Sequence, residues 1–356
     1  MRILIDIGHP GHVHLFRNAA QILQKKGHKI FFTLREKEKE IELLKAGGFE
    51  YKSFGKKYNT TKGKIYGMLK FGLMETLTAL KFKPDLFFSH GSIYASHAAA
   101  ILRKPNIAME DTGNLEQVRL YRPFTKIILS PAVIGKNLGS KHYLYNSIHE
   151  IAYLHPRYFT PDPSIYKLLE LEPGAPYAIL RFISWNATHD VGQVGLTYEL
   201  KKELVNILKK RMKVFISSEN KNEPEFAEYM IKIPPEKMHD ALAFASIYIG
   251  EGTTMAAEAS ILGTPSFYVS TVKGQNCEEL EQYGLGYVFT NADGLLQKVN
   301  EVINTPELKV LLQERVKKYL ADKIDLTAFM VWVVENYPGS IKTLRQDKNY
   351  HLQFPG

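Results

Sequence analysis

A single cysteine in 356 residues, Cys277, permits neither an internal disulfide nor a thiolate zinc cage, so the chain must be held by its core and reads as a reduced, intracellular protein. No stretch approaches the roughly 18 uninterrupted apolar residues of a membrane-spanning helix. Low-complexity segments and sequence repeats are absent, and Gly (25) and Pro (17) stand at ordinary levels, which excludes fibres and wholesale disorder. The opening MRILIDIG enters a strand-like run at once and leaves no room ahead of it for the regions of a secretory leader, so the expected location is the cytoplasm. Acidic residues are also in deficit. The 37 Asp plus Glu face 46 Lys plus Arg, a net charge of +9 that attracts nucleic acid, anionic lipid and phosphorylated small molecules alike.

What the chain has is alternation. At roughly 150 residues per domain the length suits about two domains. Short apolar runs at 3–8, 29–34, 49–54, 84–89, 106–110 and 126–130 read as strands, with helical crossovers at 15–26, 37–46, 65–80 and 94–102. The pattern pauses in a proline- and aromatic-rich stretch, then resumes with strands at 177–182, 213–218, 247–250, 266–269 and 287–289. The expected fold class is therefore α/β, with two Rossmann-like domains. We expect domains at 1–150 and 177–305, a connection at 151–176, and a final helical segment at 306–356 that packs back across the domain junction.

The most informative segment is IYIGEGTTMAAEASILGTP, residues 247–265. A strand ends at Gly250, a turn carries Gly252, Thr253 and Thr254, and a helix then runs to Gly263. Free N–H groups at such a helix start, two hydroxyls and the helix dipole make a site for a diphosphate. Glu258, one turn further on, is the candidate acceptor for a ribose diol. The plain alternative is an ordinary strand-to-helix turn. Arg181 and Ser184, in the RFISWNATHD that follows the first strand of this half, are candidate diphosphate contacts, with an interdomain ion pair as the alternative for Arg181.

In the first half, strand one runs into GHPGHVHLF, residues 8–16. His9, His12 and His14 invite a metal reading, but metal sites usually need converging carboxylates or cysteines as well, and His9 and His12 in a loop with His14 on the following helix need not face one point; no metal is expected. The plain reading of His12 is a helix N-terminal residue hydrogen-bonded to backbone; the other, which the resemblance given below implies, is a general base whose ring a carboxylate orients. Asp111, in NIAMEDTGN, is the expected orienter and Glu110 its competitor.

These segments resemble the GT-B glycosyltransferase superfamily. The turn with Gly252, Thr253, Glu258, Gly263 and Pro265 is similar to the carboxyl-terminal GT-B signature that holds a nucleotide diphosphate and its ribose, and PGHV is similar to the amino-terminal P-x-x-G-H motif of inverting members, whose histidine deprotonates the acceptor hydroxyl. AMEDTGN more weakly resembles the H-V-E-A-G-L-R strand end of the UDP-N-acetylglucosamine 2-epimerases, whose G-T-R-P-E run is replaced here by GHPGH. Over nearly its whole length the chain resembles a prokaryotic family of unknown function within that superfamily, through IDIGHPGHVHLF, EDTGN, LSPAV, IAYLHPRYFTPD, LRFISWNATHD, ISSE, KMHDALAFA and GEGTTMAAEASILGTP. The resemblance implies two domains facing one another across a cleft, a nucleotide-diphosphate sugar as substrate rather than a cofactor, and a sugar or lipid-linked acceptor. It implies a glycosyltransferase of cell-surface polysaccharide or glycolipid synthesis, with an NDP-sugar 2-epimerase and a non-catalytic sugar-nucleotide binder as alternatives.

One basic stretch remains. Residues 56–83 hold seven lysines against Glu75 alone, with Ile65, Met68, Leu69, Leu73, Leu77 and Leu80 at helical spacing. The plain reading turns those apolar residues to the core and leaves the lysines in water. The other leaves them exposed, for peripheral contact with the inner face of a membrane. With no arginine-rich reading element or known motif, nucleic acid is not an expected partner.

Overall fold

The computed structural model describes residues 1–58, 60–183, 195–218, 223–305 and 307–356. The apolar runs become parallel strands covered on both faces by the helices that return the chain. In chain order the first segment forms β1 (Arg2–Ile7), α1 (Pro10–Lys25), β2 (Lys29–Glu36), α2 (Glu40–Ala46), β3 (Tyr51–Lys56), α3 (Thr61–Phe82), β4 (Leu86–His90) and α4 (Ile93–Ile101). It continues with β5 (Asn106–Met109), α5 (Leu115–Tyr121), β6 (Ile127–Pro131), β7 (His142–Tyr145) and the short α6 (Ile151–Leu154). The sheet order is β3-β2-β1-β4-β5-β6-β7, so the winding reverses between β1 and β4. Ligands of open α/β sheets bind at the carboxyl edge of such a reversal.

Side chains fix where the helices start. Ser92 accepts from Ala95 N–H at the head of α4, and Asn114 accepts from Glu116 and Gln117 at α5. At α1 the cap is His9, whose Nδ1 accepts from Gly11 N–H at 3.1 Å, with Pro10 at the first helical position. The helix thus begins at Pro10 rather than at Leu15, and His12, expected in a loop, lies in its first turn.

The second segment contains α7 (Ile165–Leu168), β8 (Tyr177–Phe182), α8 (Tyr198–Leu208), β9 (Lys213–Ser218), α9 (Met238–Phe244) and β10 (Ile247–Gly250). α10 (Thr253–Ile261), β11 (Ser266–Val269), α11 (Gln275–Gln282), β12 (Tyr287–Phe289), α12 (Leu295–Ile303) and α13 (Leu308–Ala321) follow. The five strands lie where the apolar runs place them. They order as β12-β11-β10-β8-β9, with the reversal between β8 and β10, over a core that includes Leu180, Ile249, Phe267, Leu204 and Val299. α14 (Leu326–Glu335) and α15 (Gly339–Gln346) end the chain.

Two compact units result, Met1–Tyr158 with Lys323–Gly356, and Phe159–Asp322. The stretch expected as a connection, 151–176, divides between them, and the expected final segment, 306–356, divides too. Hydrogen bonds explain both divisions. In the first unit Asp325 caps α14 through Ala328 N–H and accepts from Tyr158 Oη at 2.6 Å and from Arg157, while Ala152 O accepts from Asn18 Nδ2 at 2.9 Å and Thr327 Oγ1 at 2.7 Å. In the second, α13 is held by Gln313 to Leu262 O at 3.0 Å, Arg315 to Gly284 O at 2.7 Å and Tyr319 to Glu279 at 2.8 Å.

α3 reverses the plain reading of residues 56–83. Its buried face carries Phe71, Glu75, Thr78 and Ala79, and the leucines expected in the core point outward. Among the described residues no helix is long and apolar enough to cross a membrane.

Candidate functional site

At the β1/β4 reversal the turn after β1 rests on buried charge. Asp6 and Glu75, both 0% exposed, share the Thr33 hydroxyl at 3.1 Å each; Asp6 also pairs with Arg35 and accepts from Ser92 Oγ. Two buried carboxylates this close do not both ionise at low cost, and burial followed by Asp6 pushes Glu75 well above the usual carboxylate range. Lys57 donates to Gly8 O at 2.6 Å, and burial followed by Arg35 lowers its pKa to about 8.

Beside this base lie His12, His90, Asp111 and His149. His12 Nδ1 lies 3.3 Å from Gly8 N–H, and its ring stacks on His90 with centroids 4.0 Å apart. Desolvation, then His90 and His9, holds His12 well below its usual value, so the ring is neutral. Accepting from Gly8 places its lone pair on Nδ1 and its proton on Nε2.

Asp111, expected to orient His12, does not touch it. One oxygen meets His90 Nε2 at 2.9 Å and the other His149 Nδ1 at 3.0 Å, with 41% of the Asp111 side chain exposed. Desolvation would raise this carboxyl, but His149 and His90 outweigh it and hold Asp111 well below the usual range. Burial opposes charge on His90, and Asp111 more than offsets it, so His90 titrates above its ordinary value. These nitrogen and oxygen atoms lie within 4.8 Å of one another, a spacing that could also hold a divalent ion. His9, His12 and His14 are not the set that converges, since His14 packs against Tyr153.

Glu110 is a loop-builder. Only 2% exposed, it accepts from Thr112 N–H, Thr112 Oγ1, Gly113 N–H and Tyr121 Oη at 2.6–3.1 Å.

His9 sets an acid limit on this turn. Desolvation, with Lys37 and Lys57 adding, lowers its pKa to about 3. The unfolded chain therefore binds the proton first: the contribution to stability is complete above about 6.5 and is lost as the pH falls toward 3. His9→Asn keeps an acceptor for Gly11 N–H and removes the titration. The melting temperature of this variant is expected to fall less than that of the parent between about pH 7 and pH 5; parallel losses would contradict the assignment.

At the β8/β10 reversal Gly250 pairs with Arg181, whose Nη1 donates to Ser217 Oγ at 2.8 Å. Gly252 is the N-cap of α10, and Thr253 and Thr254 form its first turn with no side-chain cap and no acidic residue. Among the described residues, then, no side chain caps the first N–H groups at the positive end of this helix dipole. The carboxylate of Glu251, in the same turn, is held by backbone: Oε2 accepts from Ile183 N–H at 3.0 Å and Oε1 from Leu196 N–H at 2.8 Å. Gly263 closes α10 at φ +72°, where a Cβ would also meet Gln313 Nε2 at 2.5 Å. Glu258, the candidate ribose acceptor, is 4% exposed, and its Oε1 meets His239 Nε2 of α9 at 3.1 Å. Ser184 lies outside the described residues.

The family model described as "Protein of unknown function (DUF354)" matches residues 1–338. The chain belongs to that family. No curated protein sequence matches it. Solved structures do. The UDP-GlcNAc 2-epimerase from Neisseria meningitidis bound to UDP-GlcNAc is similar with a TM-score of 0.68 at 14% identity, over 94% of this chain and 100% of that one. The S. aureus MnaA–UDP structure gives 0.67 at 14% identity over 96% and 98% of the two chains, and the glycosyltransferase VinC in complex with dTDP gives 0.61 at 13% over 96% and 100%. The fold of this family member is therefore the GT-B kind, two Rossmann-like domains.

Sequence reasoning missed His90, His149 and His239. His90 ends β4, and only the adjacency of β4 to β1 brings it under His12. His149 follows β7, a four-residue edge strand too short to stand out by its pattern.

Proposed function

We propose that the chain transfers a sugar from a nucleotide-diphosphate donor to a hydroxyl of a sugar or lipid-linked acceptor. The observation that carries this reading is the uncapped start of α10 beside Arg181 at the β8/β10 reversal, with the neighbouring Glu251 spent on backbone N–H groups. In the proposed reaction the acceptor oxygen attacks the anomeric carbon, its proton passes to the Nδ1 lone pair of neutral His12, and the bond to the diphosphate breaks with its electron pair leaving on phosphate. The long Gly8 contact is displaced as that proton arrives. The α10 N–H groups and Arg181 stabilise the departing charge, a role that needs no metal. Asp111 acts through His90 and His149 as a positioning residue.

The epimerase reading asks a carboxylate at the EDTGN strand end for proton transfer. Glu110, with four donors already on it, is poorly placed for that work.

Thermal shift across UDP, GDP, CMP and dTDP sugars tests donor binding, because a ligand that binds only the folded state raises the melting temperature. One nucleotide class is expected to raise it, and Arg181→Ala to raise the dissociation constant obtained from the ligand-concentration dependence of that shift about tenfold or more, as loss of a charge-assisted bond would. No response to any class would overturn the reading.

A further inference from the structure

The outward face of α3 is apolar along its length. Ile65, Tyr66, Leu69, Leu73, Leu77 and Leu80 are 52–68% exposed and recur at three- and four-residue spacing. They form one stripe on a helix of 22 residues, about 33 Å long. Scattered exposed leucines are ordinary, but a continuous stripe of this size on one element marks a contact surface. Rotation cannot hide it, because Phe71, Glu75, Thr78 and Ala79 fix the opposite face at 0–6% exposure.

Charge selects the occupant. Glu75, the one acidic residue among 56–83, is buried at Thr33, so the outward face carries no negative charge. Lys62 is exposed near the start of the helix, and Lys81 and Lys83 at its end. A second copy of the chain docked by the same face would set lysine against lysine in either helix orientation. An anionic bilayer instead takes the leucines into its headgroup and acyl boundary and the lysines onto its phosphates, with Tyr66 suited to the interface.

We propose that this face docks the first unit onto an anionic phospholipid membrane, with α3 lying in the plane of the interface. The proposal does not rest on the transfer reaction. It places the surface on the element that follows Lys57, whose ammonium grips Gly8 in the histidine turn.

The test is co-sedimentation of the full chain with vesicles of phosphatidylcholine alone and of phosphatidylcholine with about one third phosphatidylglycerol, with light scattering and melting temperature recorded alongside. The chain is expected to bind the anionic vesicles about tenfold or more tightly than the neutral ones, and less tightly as salt rises. Leu69→Gln with Leu73→Gln should lower that binding about tenfold or more at unchanged mass and melting temperature, which separates the apolar stripe from the general attraction of a +9 chain. Lys62→Gln with Lys81→Gln, which leaves the stripe intact, should reduce the preference for anionic vesicles. The proposal is overturned by equal or absent binding to both vesicles, by full binding of the leucine variant, or by a dimer that the leucine variant splits while vesicle binding is absent.

Discussion

His12→Ala is expected to lower the rate of sugar transfer by about 10²- to 10⁴-fold, the usual contribution of a positioned general base. Donor affinity should stay within about twofold, since the proposed donor contacts lie on the other unit. The prediction rests on the protonation state. A ring kept neutral by desolvation, His90 and His9 has one unprotonated nitrogen, Nδ1, which in the resting structure accepts from Gly8 N–H. Its lowered pKa also makes it a weak base at neutral pH. Loss of the ring removes its stack on His90, so the melting temperature is measured with the rate. A folded variant that keeps its turnover would remove His12 from the chemistry.

Gly250→Ala should have the largest effect on stability. A Cβ there would lie 2.2 Å from Tyr248 Oη and 2.9 Å from Arg181 Cβ, with the Tyr248 ring itself 0% exposed. Overpacking of this kind costs about 1–3 kcal/mol, and more where the neighbour cannot move. Among the described residues the buried Tyr248 hydroxyl has no hydrogen-bond partner, and burial holds its pKa well above the usual phenol range, so it remains neutral. Tyr248→Phe is accordingly expected to be neutral or stabilising by about 1 kcal/mol, and the double variant to recover part of the Gly250→Ala loss. Relief is partial because the ring carbon Cζ would still lie 2.7 Å from the new methyl group. Strict additivity of the two substitutions would show that the hydroxyl is not what excludes a side chain at 250.

Much of the fold could be read from period alone. In the second unit the runs YAILRF, KVFISS, IYIG, SFYV and YVF are each apolar, short and bounded by turns, and each is a strand at those residues. β7 escaped because four residues, two of them half-buried or exposed, carry no clear pattern. α3 misled for a different reason. Helical spacing reports that apolar residues share a face, and cannot say whether that face looks inward; Glu75, read as one acid among lysines, was the residue committed to the core. At the candidate site the two turns were legible because a glycine-bearing strand end followed by a helix is a local pattern. The pairing of Asp111 with His90 and His149 was not, since it depends on strand order and on side chains 21 and more residues apart. Glu258 and Arg181 were singled out by position, but their contacts to His239 and Ser217 come from neighbouring elements.

The central claim is that donor chemistry ends in a glycoside. The most direct measurement follows, by proton NMR, the sugar nucleotide that gives the largest thermal shift, incubated with the full chain with and without hydroxyl acceptors. The account predicts that free nucleoside diphosphate and a new glycosidic anomeric signal appear together and only when an acceptor is present. An epimerised sugar nucleotide formed without acceptor, with no glycoside when acceptors are added, would contradict it.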